Sequence, residues 1–180
     1  MILIAHRINS SKELSKIPLN CGVELDLRDF AGNLVLQHNP FLKGEKFGEF
    51  LKKYKHNFII LNIKSEQIEF RVLKLLKKYK IKRYFFLDSS FPMIRELIKK
   101  GEKNIAIRVS DEEDLKTAIN LKNKIKWIWF ETQFSYKKSL FKLKKLKRNY
   151  FKICIVSPDL HKKRIRFNKK EIAILKKNKL

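Results

Sequence analysis

Short apolar runs alternate along the chain with longer stretches of helical period, and this alternation restricts the fold more than any other feature. Residues 2–5, 22–27, 58–63, 83–87, 104–109, 126–130 and 151–156 have the length and composition of buried strands. A shorter run at 33–38 follows the turn-forming Ala31-Gly32-Asn33 and predicts a hairpin with the second strand. Between the strands, residues 44–54, 66–79, 92–100, 112–122 and 136–148 read as helices, and an amphipathic piece at 169–177 closes the chain. Ile68, Val72, Leu75, Leu76 and Tyr79 mark one face of the second helix, and Ser110 with the acids after it supplies a helix start for the fourth.

Strict β–α alternation fits an open doubly wound sheet or a closed barrel. No Gly-rich turn follows the first strand, where a dinucleotide-binding fold needs one. Polar residues gather instead at the C-terminal ends of strands, where barrel enzymes build their sites. The expectation is therefore a TIM-type (β/α) barrel filling residues 1–180 as a single domain. It would be shortened or incomplete, because seven strands are recognisable where eight normally close the structure.

In a strand, residues two apart share a face. Parity groups Ile2, Ile4 and His6; Gly22, Glu24 and Asp26; Leu34, Leu36 and His38; and Phe58, Ile60, Asn62 and Lys64. If these faces point inward, two imidazoles, two carboxylates and the cations Arg7 and Lys64 converge on one mouth. Glu24 and Asp26 side by side in an apolar strand need something to offset their burial. A divalent cation, Mg²⁺ or Ca²⁺, held by Glu24, Asp26 and more weakly by the Asn62 carbonyl, would do so. His6 and His38 could then donate and accept a proton while Arg7 and Lys64 hold an anionic phosphorus centre. Glu131, at the tip of the sixth strand, and His161, beside Lys162, Lys163 and Arg164, are further candidates for the rim.

These residues carry a family resemblance. His6-Arg7, then GVELDLR from Gly22, then VLQH ending at His38, resemble the glycerophosphodiester phosphodiesterase family of phospholipase C-like barrels, as do LNIK ending at Lys64 and DSSFPMIREL from Asp88. The resemblance covers roughly the first 95 residues. It implies His6 and His38 as the acid/base pair, Arg7 and Lys64 as phosphate-binding residues, and Glu24 and Asp26 as metal ligands. Ile8 stands where the family has Gly, Asn39 where it has Asp, and Asn62 where it has a third metal-binding acid. The implied activity is metal-dependent hydrolysis of a glycerophosphodiester or related polyol-phosphate diester.

Two other readings compete with that activity. One is a catalytically inactive phosphodiester- or anion-binding barrel; the other is a basic protein that binds polyanions or a membrane surface. The net charge of +25 invites the second, but 34 of the 43 basic residues are Lys spread over the chain, which weighs against nucleic acid as the partner. An anionic membrane surface has a candidate in 136–148, where Leu140, Leu143 and Leu146 lie near one stripe among lysines. That stripe equally suits an outer helix packed on a sheet. With no apolar run of about 18 residues and no leader-like N-terminus, a cytoplasmic protein is expected.

Overall fold

The structure is a computed structural model that describes residues 1–131, 136–157, 160 and 173, the side chains of 136–138 excepted. It comprises two compact units, residues 2–100 and residues 101–180 with Met1. In the first unit the strands are β1 (Ile4–Ala5), β2 (Gly22–Phe30), β3 (Asn33–Leu36), β4 (Glu45–Lys46), β5 (Phe58–Ile63) and β6 (Tyr84–Leu87). Its helices are α1 (Ser11–Leu14), α2 (Phe47–Lys53), α3 (Glu69–Lys78) and α4 (Phe91–Lys99).

β2 organises this unit. One edge pairs in parallel with β5 from Gly22 opposite Phe58 to Leu27 opposite Ile63. The other edge is shared: β1 lies parallel to Gly22 and Val23, while β3 runs antiparallel to Leu27–Phe30. Between those ladders the polar backbone must still be satisfied. The Ile8 amide donates to the Glu24 carbonyl (2.8 Å), the Gln37 amide to the Asp26 carbonyl (3.1 Å), and the Asp26 amide to Asn9 Oδ1 (2.8 Å). Gly22 sits where β1, β2 and β5 crowd together: a Cβ there would overlap Ile4 Cδ1 and lie 2.9 Å from the Phe58 carbonyl oxygen. Val23, Leu25 and Leu27 alternate with Glu24 and Asp26, and all five are buried, so both faces of β2 are covered.

The second unit holds β7 (Ala106–Val109), α5 (Leu115–Asn120), β8 (Trp127–Phe130), α6 (Tyr136–Arg148) and β9 (Lys152–Ile155). Its three strands form a parallel sheet in the order β7-β8-β9. Leu143 and Leu146 of α6 are buried, whereas Phe141 is exposed. No helix among the described residues is long and apolar enough to cross a membrane.

The expected (β/α) barrel is not formed. The strands make two small sheets, one of six mixed strands and one of three parallel strands, and neither closes. Closure requires every strand to be laddered on both edges. Among the described residues β1, β6, β7 and β9 each have a single strand partner, and the antiparallel β3 takes half of one β2 edge. Apolar runs alternating with helices are common to barrels and open sheets, so the pattern did not separate them. The short β4 lies in a stretch read as the start of a helix, and α1 was not anticipated. The closing piece at 169–177 lies outside the described residues.

α3 opens on a buried acid. Burial holds the Glu69 carboxyl above the usual carboxylate range; the Ser89 hydroxyl and the Ile68 and Glu69 amides pull it partly back, while Glu66 pushes it up. An acid whose folded pKa is raised opposes folding as it ionises. The cost is absent below glutamate's ordinary value of about 4.3 and grows as pH rises through the folded value. Glu69→Gln should therefore stabilise the protein in urea denaturation at pH 7, with the gain vanishing as pH falls below about 4. A gain that persists undiminished in acid would show that ionisation is not its source.

Candidate acid–base and phosphate site

The centre is built on the polar face of β2. Glu24 and Asp26 are each 1% exposed. Glu24 Oε2 accepts from the Arg7 backbone amide at 2.8 Å and lies 3.6 Å from His6 Nε2, and Oε1 accepts from Asn62 Nδ2 at 2.8 Å. Asp26 Oδ2 accepts from Asn9 Nδ2 at 2.9 Å and lies 3.2 Å from His38 Nδ1 and 3.9 Å from Arg7 Nε. Lys64 Nζ stands 3.8 Å from Asp26 Oδ1 and 3.3 Å from Asp88 Oδ2. His6, Arg7, His38, Lys64 and Asn62 thus gather around the two carboxylates anticipated from the sequence.

Local backbone geometry makes this convergence possible. β1 ends at Ala5, and Arg7 takes a left-handed conformation (φ 61°) that costs a non-glycine residue energy. The turn aims the Arg7 amide at Glu24 and brings its guanidinium to the same mouth as His6, where strict strand alternation would have separated them. Asp88 has the same kind of backbone (φ 60°) just past β6. Arg28 ties two site-bearing segments together: Nε and Nη2 donate to the His38 carbonyl (3.0 and 2.8 Å), and Nη1 donates to the Lys64 carbonyl (2.7 Å).

His38 stands between a cation and a carboxylate. Nε2 lies 3.2 Å from Arg7 Nη2, which can only donate, so this contact uses the Nε2 lone pair; Nδ1 lies 3.2 Å from Asp26 Oδ2 without making a hydrogen bond to it.

A divalent cation fits the donor set at one point in particular. Asn62 spends its amide N–H on Glu24, and its buried Oδ1 has no hydrogen-bond partner. With Glu24 and Asp26 it supplies the all-oxygen ligands that Mg²⁺ or Ca²⁺ prefers. No group of three or more His, Cys, Asp or Glu suited to a metal occurs among the described residues, so the set depends on Asn62. The expectation that a cation must offset the buried charge is not required by the geometry, because hydrogen bonds and four basic side chains already surround the carboxylates.

Glu131 lies in the second unit, where its Oε2 accepts from Arg108 Nη1 at 3.1 Å. His161 lies outside the described residues. Sequence reasoning missed Asn9, Arg28 and Asp88 as site residues; Asn9 follows the end of β1, where no strand parity points to it.

The chain matches no protein-family model, no curated protein and no solved structure.

Among the missed residues, Asn9 pairs with both the backbone amide and the carboxylate of Asp26. Asn9→Ala should cost about 2 kcal/mol, the scale for leaving buried polar groups unpaired. Equilibrium urea denaturation reads this directly. A cost under about 0.5 kcal/mol would mean that Asp26 is satisfied without Asn9.

Proposed function

We propose that the chain is a metal-dependent phosphodiesterase acting on a glycerophosphodiester or related polyol-phosphate diester. The observation that supports this most is the convergence of two histidines, one of them between Asp26 and Arg7, with Arg7 and Lys64 at a single mouth. Arg7 and Lys64 supply the positive charge that receives the phosphate. Phosphate draws the Arg7 guanidinium from His38, which frees the Nε2 lone pair.

His38 then takes the proton of a substrate hydroxyl next to the diester, and that oxygen attacks phosphorus. A new P–O bond forms as the bond to the leaving alcohol breaks, and protonated His6 gives its proton to the departing alkoxide. The cyclic diester is opened by water with the roles reversed: His6 accepts the water proton and His38 returns its own to the substrate oxygen. A divalent cation bound by Glu24, Asp26 and Asn62 would add positive charge against the phosphoryl oxygens.

Asn62, in place of a third acid, gives one specific reason to keep a second reading, a diester-binding protein without turnover. Glycerophosphocholine incubated with Mg²⁺ or Ca²⁺ separates the two, since only the enzyme releases free alcohol. His38→Ala and His6→Ala should each lower kcat by about 10²- to 10⁴-fold, the range for general acid–base groups, with circular dichroism unchanged. Equal turnover by both variants would remove the histidines from the reaction, and binding without product would favour the second reading.

A further inference from the structure

We propose that residues 39–43 dock the first unit on an anionic lipid surface, placing the mouth between His6 and His38 at the layer of phosphodiester headgroups. The substrate side of this inference rests on the phosphodiesterase reading above; the docking side stands on its own observations. Asn39, Pro40, Phe41, Leu42 and Lys43 are all exposed, with Phe41 at 92% and Leu42 at 50%. Two adjacent large apolar side chains held in water at a turn are unfavourable unless something apolar receives them.

The loop is built to hold that tip outward. Gly44 packs so closely on β3 that a Cβ there would overlap the Leu36 carbonyl oxygen. Gln37 Nε2 donates to the Lys43 carbonyl at 3.3 Å, and the Asn39 amide donates to Gln37 Oε1 at 3.2 Å. Phe41 itself is left-handed (φ 62°), a backbone state that bulky residues adopt rarely.

Position and charge select the occupant. The tip begins one residue after His38, whose ring contacts Asp26 and Arg7. Phe91, 49% exposed, starts α4 three residues after Asp88, the partner of Lys64, and so adds a third exposed apolar residue close in sequence to a site residue. Lys43 and Lys46 are exposed next to the tip, in a chain of net charge +25. Apolar side chains flanked by lysines match an acyl layer beneath anionic headgroups.

The full chain should sediment with vesicles of phosphatidylcholine and phosphatidylglycerol (3:1) near physiological salt and much less with phosphatidylcholine alone. The double variant Phe41→Ser/Leu42→Ser should lower the partition coefficient at least about tenfold, as loss of two inserted apolar side chains requires, while keeping the parent's turnover of water-soluble glycerophosphocholine. Equal partition of parent and variant would show adsorption by charge alone and overturn the proposal, as would absence of binding at low salt. Vesicle binding is read without turnover. A protein that binds through Phe41 and Leu42 yet releases no product would refute the phosphodiesterase reading and leave the docking surface standing.

Discussion

Two carboxylates buried on β2 govern this molecule. Moving an ionised carboxylate out of water costs several kcal/mol even after relaxation, and an unpaired buried one is not tolerated. Glu24 and Asp26 meet that constraint with backbone and side-chain donors: the Arg7 amide, the side-chain N–H groups of Asn9 and Asn62, and the nearby charges of Arg7 and Lys64. These partners come from β5 and from the segments after β1 and β5, and His38 reaches Asp26 from the segment after β3, so three chain segments meet at the acids. Residues that solve a burial problem thereby become neighbours around one mouth.

β2 can carry this load because its other face is apolar. Val23, Leu25 and Leu27 are fully buried, and β5 runs alongside for the whole stretch from Gly22 to Leu27. The strand that anchors the sheet is thus the strand that carries the charges, which couples the fold of the first unit to the geometry of its site. Arg28 extends that coupling beyond the acids, since its guanidinium joins the His38 and Lys64 carbonyls across β2. The left-handed turns at Arg7 and Asp88 complete it by turning side chains into the mouth at strand ends.

Much of the site was legible because period two is rigid. Glu24 and Asp26 on one face of β2, and Asn62 on a face with Phe58 and Ile60 in β5, follow from spacing alone once the strands are recognised, whereas the register that sets Asn62 opposite Asp26 comes from the pairing itself. Parity reaches one residue past a strand end, as at His6 and Lys64, but says nothing once the chain turns, which is why Asn9 and the turn at Arg7 escaped notice. The barrel was misjudged for a different reason: strand pairing is long-range, and neither the antiparallel use of β2 by β3 nor the separation into two sheets leaves a mark on hydrophobic period. Glu131 illustrates the same limit, because its place at a strand tip was right while its partner, Arg108, depends on which strands share a sheet.

The central claim is that buried acids on β2 organise a phosphate-receiving mouth between two histidines. A crystal structure grown with inorganic phosphate and Mg²⁺ tests it most directly. The account predicts phosphate oxygens within hydrogen-bond distance of the Arg7 guanidinium and Lys64 Nζ, with His6 and His38 flanking the ion and the Arg7–His38 contact broken. Phosphate bound elsewhere, with Arg7 still seated on His38 Nε2, would contradict it.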